Sequence, residues 1–314
     1  MIWDVNVISA KILAPIIIIF GSIGNLLGLI IISNKKLNQM GPQKIFICMF
    51  VMDNIYFILI FHPYLANAFD INVTAMSNVA CKLYWYARYS MAIISPMMNV
   101  YISAERFVSI TFPSQKLFLL KEKIQIGYIL VIISINLALA IQVALGFELQ
   151  HITLQPLNQS EIIITYYCDF SSLYWQDVVG FIDMVIRVII PAGLMIIFSI
   201  LLSWSIFRSR NKFTNSSANV KDIRFSMVCM TLNLFYILFS LPVSVVVLLQ
   251  DYSGNEYYVG FSILFFVAYC ANFYLMFAFN RVFRRTFFQM IFNSSLKKNV
   301  SNQMNEFASR NRTV

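Results

Sequence analysis

Charged side chains are scarce in this chain. Only 12% of its 314 residues are Asp, Glu, Lys or Arg, and 59% are hydrophobic, whereas a soluble domain usually contains about 25% charged residues. Apolar stretches of about 20 residues recur along the chain, which is typical of membrane-spanning segments. The composition therefore excludes an ordinary soluble protein and predicts an integral membrane protein.

Residues that usually carry catalysis or bind metals are almost absent. The two histidines, His62 and His151, have no partner at a useful spacing, and the five cysteines lack the spacing of zinc or redox sites. Matched halves with broken helices, which many transporters contain, are also missing. The sequence does not predict an enzyme or a resident cofactor, and a transporter is the weaker alternative.

Seven apolar segments predict the fold class, an all-α membrane bundle with an amphipathic eighth helix. The segments are residues 12–33, 44–68, 79–110, 124–146, 176–207, 222–250 and 257–279, and the amphipathic stretch is Asn280–Phe292. Each segment is long enough to cross about 30 Å of hydrocarbon. Since no cleavage site follows the first segment, we expect it to remain as span one. The predicted divisions are an extracellular terminus (1–11), the receptor-like membrane domain with helix 8 (12–292) and a disordered cytoplasmic tail (293–314).

The distribution of Lys and Arg predicts the orientation. Basic residues lie in the loops after spans one, three and five and at the start of the tail, whereas residues 147–175 and 251–258 contain none. Because basic loops stay in the cytoplasm, the amino terminus is predicted outside and the carboxyl terminus inside. The net charge of +9 then reflects topology, so a nucleic-acid partner is not expected.

Four residues in the outer loops agree with this orientation. Asn72 and Asn158 begin glycosylation sequons. Cys81 and Cys168 lie at the head of span three and in the second outer loop, where an oxidising environment favours a disulfide between them. This bond would hold the long loop across the mouth of the bundle. Residues 162–167 of that loop are β-branched and aromatic, which predicts a strand.

An ordered set of motifs in these spans resembles the rhodopsin-like (class A) G-protein-coupled receptors. The set comprises Gly24-Asn25, Asp53, Cys81 at the family's spacing from Glu105-Arg106-Phe107, Pro191, Pro242, and Asn280 before the eighth helix. The resemblance covers the whole membrane portion. It implies a multi-pass plasma-membrane receptor that binds an extracellular ligand and activates a heterotrimeric G protein through the cytoplasmic ends of helices 3, 5 and 6.

Several positions depart from the pattern of this family. Span four lacks tryptophan, and span six contains Phe239-Ser240-Leu241-Pro242 where the family has Cys-Trp-x-Pro. Asn272 begins a motif that lacks the proline and the final tyrosine of Asn-Pro-x-x-Tyr, and Ser199 replaces a frequent tyrosine. The sequence therefore predicts a divergent receptor. A receptor-like protein that binds its ligand without signalling stays open as the alternative.

The resemblance implies two sites inside the bundle and a switch region at Phe239, Ser240 and Pro242. In the family's packing, Arg106 would pair with Asp222, and this pair would hold an inactive state. The alternative is that Asp222 lies at a solvated helix end among basic residues and does not contact Arg106. A carboxylate in the membrane also needs partners. The family's packing gives Asp53 three such neighbours, and together they would hold a sodium ion or water: Asn25, Ser95 and Asn272. A purely structural aspartate is the alternative.

The outer half of the bundle is expected to form the ligand pocket. Arg88 lies where amine receptors of this family have an aspartate, which argues against an amine ligand. Asp183 and Arg187 share one helical face. They either pair with each other, or Arg187 joins Arg88 in binding an acidic ligand group. Because span seven contains no lysine, retinal is excluded. The strand-prone loop and the aromatic bundle favour a peptide, with another chemical cue as the alternative.

Basic and aromatic residues alternate after span seven. Arg281, Arg284 and Arg285 lie among phenylalanines, which predicts a helix on the anionic inner leaflet of the bilayer. Serines of the tail are candidate phosphorylation sites for arrestin binding: Ser294, Ser295, Ser301 and Ser309.

Overall fold

The chain folds into a bundle of long helices, seen here in a computed structural model that describes residues 12–34, 42–69, 73–112, 116–154, 163–210, 217–248 and 256–292. Helices in these residues form seven spans: Ala14–Ile32, Gln43–Phe69, Asn78–Ala92 with Ile94–Thr111, Glu122–Leu139 with Ile141–Gly146, Leu173–Met184 continued through Val185–Ile189 to Ile190–Arg210, Ser217–Leu248, and Glu256–Phe279. A further helix is Arg281–Phe292. Short helical turns are Val73–Ala75 and Lys116–Leu119. The predicted terminal divisions 1–11 and 293–314 lie outside the described residues.

The all-α membrane bundle predicted from the sequence is confirmed, with boundaries that differ by a few residues. Length and apolar composition alone qualify five helical segments of the described chain as membrane spans, or six if Ile263–Phe279 and Arg281–Phe292, bent by 90°, are taken as one. Span three is the least apolar of the seven because it contains four charged residues: Lys82, Arg88, Glu105 and Arg106. Its inner half is nevertheless buried among the other spans.

Hydrophobic side chains cover the outside of the bundle, and polar side chains lie within it. Large apolar residues are exposed along most spans, among them Ile16, Phe20, Ile58, Leu130, Ile200 and Leu234. Buried polar residues include Asn25, Asp53, Asn99, Asn233 and Asn272. This distribution fits a bilayer, since apolar side chains can face lipid while polar groups need partners inside the protein.

Glycines in span one bring three spans into close contact. A Cβ added to Gly21 would lie 2.4 Å from the Sγ of Cys270 in span seven. A Cβ added to Gly28 would lie 2.6 Å from the ring of Phe50 in span two. Small residues allow this approach between membrane helices, so larger residues at these positions would push the spans apart.

Two prolines interrupt helices and free carbonyl groups that tyrosines then bind. Pro96 has no N–H for the carbonyl of Ala92 four residues earlier, span three turns at Ile93, and the hydroxyl of Tyr269 donates to this carbonyl instead. Pro191 stands in the same relation to the carbonyl of Arg187 in span five, beside the π-helical stretch Val185–Ile189.

The carbonyl of Arg187 is also satisfied from a neighbouring helix. The hydroxyl of Tyr236 in span six donates to it over 2.6 Å. Tyr236 and Tyr269 therefore tie spans six and seven to the broken turns of spans five and three, which is how backbone irregularities are tolerated inside a membrane.

A two-stranded hairpin covers one end of the bundle. Strand β1, Phe147–Leu154, pairs antiparallel with β2, Ile163–Phe170, in a register that places Leu149 opposite Cys168. The predicted disulfide between Cys81 and Cys168 is present, with 5.6 Å between the Cα atoms. Residues 163–167 of the predicted strand thus lie in β2, and the disulfide fixes the hairpin to the head of span three.

The last helix lies across the opposite end. Asn280 begins it, because its Oδ1 accepts the backbone N–H groups of Val282 and Phe283, each over 3.1 Å, as an N-cap residue does. Phe283 is buried against the bundle, while Arg281 and Phe292 are exposed. The eighth helix predicted from the sequence is therefore confirmed, and its basic side chains lie at the cytoplasmic end.

Candidate ligand pocket and cytoplasmic switch

A cavity opens beneath the hairpin and enters the bundle. Its empty space is about 1010 Å³, open solvent at the mouth included. Its polar lining comprises Arg88, Asp169, Gln176, Asp183, Arg187 and Ser244, and its aromatic lining comprises Tyr56, Trp85, Tyr89, Phe147, Phe170, Phe265 and Phe266. The three charged residues predicted for a ligand pocket, Arg88, Asp183 and Arg187, therefore lie in one cavity.

Asp183 and Arg187 form an ion pair within span five. The guanidinium of Arg187 also lies 5.5 Å from the ring centre of Tyr89 and 5.2 Å from that of Phe265. Of the two alternatives left by the sequence, the pair is the one present. Asp183 therefore compensates the charge of Arg187, and a joint role of Arg187 and Arg88 in binding an acidic ligand group stays a prediction.

Arg88 packs on an aromatic cluster that also lines the cavity. Its guanidinium carbon lies 4.6 Å from the ring centre of Trp85, a cation–π contact. Trp85 also stacks on Phe147 of the hairpin, with ring centres 4.6 Å apart and planes 15° apart. Arg88 is thus held against the wall of the cavity by the hairpin as well as by its own span.

Asp53 and Asn272 meet in the middle of the bundle. Nδ2 of Asn272 donates to Oδ2 of Asp53 over 3.0 Å, and Ser95 lies beside the same carboxyl group. Oδ1 of Asp53 is buried and has no hydrogen-bond partner in the described part of the chain, and the same holds for both amide atoms of Asn25. All four residues are buried.

From the packing of two glycines we infer that Asn25 is on the face of span one that is turned towards Asp53. Gly21 and Gly28 contact Phe57 and Phe50 of span two, and Asn25 lies between these glycines on the same face of span one. Asp53 lies between the two phenylalanines on the facing side of span two. Carboxylate and amide oxygens without partners are suitable ligands for a hard cation, so the residues fit the sodium or water site predicted from the sequence.

Glu105 and Arg106 pair with each other at the inner end of span three. Ser109 donates to the Glu105 carboxylate over 2.6 Å, and the guanidinium carbon of Arg106 lies 4.7 Å from the ring centre of Phe225 in span six. Glu105 and Arg106 are both buried, so the inner ends of spans three and six are in contact.

The predicted switch includes two further residues, Asp222 and Phe107. Asp222 is in the helix of span six, but its side chain is outside the described residues, so its pairing with Arg106 stays a prediction. Phe107 packs at the edge of this region, with its ring centre 6.5 Å from that of Phe198 in span five. The predicted glycosylation sites Asn72 and Asn158 are likewise outside the described residues.

A buried amide joins three spans, and the sequence analysis did not find it. Nδ2 of Asn233 in span six donates to Oγ of Ser103 in span three over 2.8 Å and to Oγ of Ser199 in span five over 3.0 Å. Asn233 is 2% exposed. The only sequence signal was an asparagine inside an apolar run, together with Ser199 at a position where the family often has tyrosine.

The residues predicted as a span-six switch region occupy one turn of that helix. The ring of Phe239 stacks on that of Phe235, with centres 4.2 Å apart. Ser240 is fully buried, and its hydroxyl donates to the carbonyl of Ile237 over 3.3 Å. Pro242 lies inside the helix. The small Ser240 therefore takes a buried position between the cavity and the cytoplasmic half.

The chain forms a seven-span bundle with an outer cavity under a disulfide-bound hairpin. A buried Glu-Arg pair lies at its inner end. These features together define a membrane receptor. Residues 24–280 match the family model described as 7 transmembrane receptor (rhodopsin family). Since this covers more than half of the chain, the chain belongs to the rhodopsin family of G-protein-coupled receptors. A comparison with curated proteins finds no match. The family places the protein in the plasma membrane as a multi-pass receptor, with an extracellular ligand and a G protein as partners.

Proposed function

We propose that this receptor binds a peptide in the outer cavity and activates a heterotrimeric G protein at the cytoplasmic ends of spans three, five and six. The observation that carries the proposal is the cavity itself, which is wide, open to the outside and lined by charged as well as aromatic side chains. A hairpin over such a cavity leaves an opening for an extended chain. The polar lining provides partners for its backbone.

A chain of contacts links this cavity to the cytoplasmic end. Arg187 lines the cavity, and its carbonyl accepts the hydroxyl of Tyr236 in span six. Asn233 lies three residues from Tyr236, on the same face of span six, and binds Ser103 and Ser199. A ligand that displaces span five would therefore change the position of span six.

The switch at the inner end follows from the same contacts. In the closed arrangement Arg106 is buried between Glu105 and the ring of Phe225. Outward movement of span six would remove Phe225 and Asn233 from span three and open a cleft beside Arg106. The interface between spans three and six would then have a closed and an open arrangement, and ligand and G protein would favour the open one. An equilibrium between two such arrangements couples distant sites.

Ligand-independent dissociation of each G-protein class, measured in cells at matched surface expression, tests the signalling function. Glu105→Gln removes the charge that pairs with Arg106 and should raise basal dissociation, whereas Arg106→Ala should reduce it to background. Glu148→Gln, an exposed acid of the hairpin, is the matched control. Asp222→Ala tests the predicted lock in the same assay, and basal activity should rise if that pair forms.

The alternative is a receptor-like protein that binds its ligand without signalling. It is favoured by Ser240 in place of the usual tryptophan and by the buried Met276 in place of the final tyrosine of span seven. If all four variants and the unchanged receptor are silent with every G-protein class at full surface expression, this alternative replaces the signalling proposal. In that case no active receptor state would exist for arrestin to bind, and the tail serines would have no role as arrestin sites.

We further propose that Asp53 holds a sodium ion together with Asn25, Ser95 and Asn272. A bound cation would supply the positive charge that a buried carboxylate otherwise lacks. The melting temperature of the purified receptor should rise when choline chloride is replaced by sodium chloride at constant ionic strength, and Asp53→Asn should remove the rise. Equal melting temperatures of the unchanged receptor in both salts would make Asp53 a structural residue.

A further inference from the structure

We propose that the cavity selects a ligand that carries both an N–H donor, bound by Asp183 of span five, and a carboxylate, bound by Trp85 and Arg88 of span three. The inference rests on the proposed function of the cavity as the ligand pocket, and it specifies the chemistry of the ligand. An amino acid and a peptide with a free carboxyl terminus share this chemistry.

Asp183 provides a hydrogen-bond acceptor that the protein leaves unused. The residue lines the cavity and is 8% exposed. One carboxylate oxygen binds Arg187, while Oδ1 is buried and has no hydrogen-bond partner among the residues that the structure describes. A buried acceptor without a partner is unfavourable. A ligand ammonium, guanidinium or amide N–H at this position would remove that cost.

Trp85 of span three provides a hydrogen-bond donor that the described residues leave unused. Its Nε1 is buried and has no hydrogen-bond partner in the described part of the chain. Since the indole nitrogen can only donate, the missing partner is an acceptor. The ring of Trp85 is in contact with the guanidinium of Arg88 at 4.6 Å, so an acceptor at this position is also close to a positive charge. A carboxylate is the ligand group that uses both.

The charges of the cavity lining balance. Arg88 and Arg187 are positive, Asp169 and Asp183 are negative, and all four line the cavity. A lining without net charge favours neither a simple cation nor a simple anion. It favours a ligand with charges of both signs, or a ligand with one carboxylate and neutral N–H groups, provided that these groups reach Asp183 and Trp85.

The positions of the two groups are fixed by packing. Arg187 is held between the rings of Tyr89 and Phe265 and therefore orients Asp183. Trp85 is stacked on Phe147, and the disulfide ties the hairpin that carries Phe147 to span three. A site built on rigid, packed side chains recognises its ligand without first having to be ordered.

Binding to the purified full-length receptor tests the inference. The probes are synthetic tripeptides with free termini, the same tripeptides amidated at the carboxyl end, free amino acids, and simple amines without a carboxylate. Stabilisation is read as a rise in melting temperature, and affinity is then determined by titration. The free-terminus tripeptides and the free amino acids distinguish the two sources of the shared chemistry, and binding of either class supports the inference.

Variants assign each end of the ligand. Trp85→Phe keeps the aromatic stack but removes the N–H, so it should weaken binding of carboxylate-bearing probes at least fivefold and leave amidated probes unchanged. Asp183→Asn presents an amide to the ligand donor and should weaken binding at least tenfold. Asp183→Glu, which keeps the carboxylate, serves as the second variant if the asparagine impairs folding. Trp175→Phe and Asp177→Asn, outside the cavity lining, are the matched controls and should bind normally.

Three results would overturn the inference: equal binding of amidated and free tripeptides, equal loss of both in Trp85→Phe, or no stabilisation by any amino acid or free-terminus tripeptide. A failure of the proposed function gives a different pattern. Probes that bind as expected but release no G protein leave the inference intact and refute the signalling. A G-protein response to ligands without a carboxylate refutes the inference and leaves the receptor function intact.

Discussion

The contact of Asn233 with Ser103 and Ser199 makes a quantitative prediction about basal signalling. Asn233 belongs to span six, and its two donors reach spans three and five over 2.8 and 3.0 Å. These bonds exist only while the three spans are closed on one another. Asn233→Leu removes both bonds by replacing the amide with an apolar side chain of similar size, and it should therefore favour the open arrangement.

The expected size follows from the hydrogen bonds lost. Each buried bond contributes about 0.5–1.5 kcal/mol net, so the two together stabilise the closed state by about 2 kcal/mol, a factor of about 30 in the equilibrium constant. A receptor whose open state has a population of about 1% would reach about a fifth in the variant. Basal G-protein dissociation should therefore rise by more than tenfold.

Ligand-independent G-protein dissociation at matched surface expression measures this effect. Thr231→Val is the control, because among the described residues the Thr231 hydroxyl bonds only to the carbonyl of Met227 within its own helix, and it should leave basal activity unchanged. Ser103→Ala and the double variant Ser103→Ala/Asn233→Leu complete a double-mutant cycle. Unchanged basal activity in Asn233→Leu, with G-protein release still triggered by ligand, would show that this contact exists in both states and refute the reasoning.

Three further variants test the packing. Gly28→Ala should lower stability by about 1–3 kcal/mol through overpacking, seen as a lower melting temperature, whereas Gly127→Ala, with nothing within 4 Å of the added Cβ, should not. Cys168→Ser should cost about 2–5 kcal/mol and reduce surface expression. Tyr236→Phe leaves a carbonyl in span five without its partner and should cost about 1–3 kcal/mol, while the exposed Tyr174→Phe should cost nothing measurable. A melting temperature of Gly28→Ala or Tyr236→Phe equal to that of its control would contradict the corresponding contact.

The bundle was predictable because its determinants are local in sequence. The number of apolar segments of membrane length decides how often the chain crosses the bilayer. The alternation of basic loops decides its orientation. Breaks within spans were not predicted. At the turn near Ile93, the hydroxyl of Tyr269 donates to the Ala92 carbonyl in place of the N–H that Pro96 lacks, and these residues are far apart in the chain. The first strand of the hairpin was also missed, since β1 is specified by pairing with β2 and less by its own composition.

Among the site residues, too, some positions were predictable from the sequence and some contacts were not. Asp53 and Asn272 meet as the family's packing implies, because their positions on two helices are fixed once the bundle is formed. The partner of a buried polar group depends instead on helix rotation and on small shifts along the helix. For this reason the sequence left Arg187 with two possible roles, and it gave no indication that Asn233 joins three helices.

The absence of a large ring at Ser240 changes how span six can be moved in the proposed mechanism. A buried serine that binds its own helix has no bulk with which to push a neighbouring span. Tyr236, one turn away, binds the backbone carbonyl that Pro191 frees in span five. That carbonyl belongs to Arg187, which holds the ligand-facing Asp183. In the proposed mechanism, a ligand acting on Asp183 would therefore act on span six through the backbone of span five, and no aromatic side chain at position 240 would be needed to transmit binding.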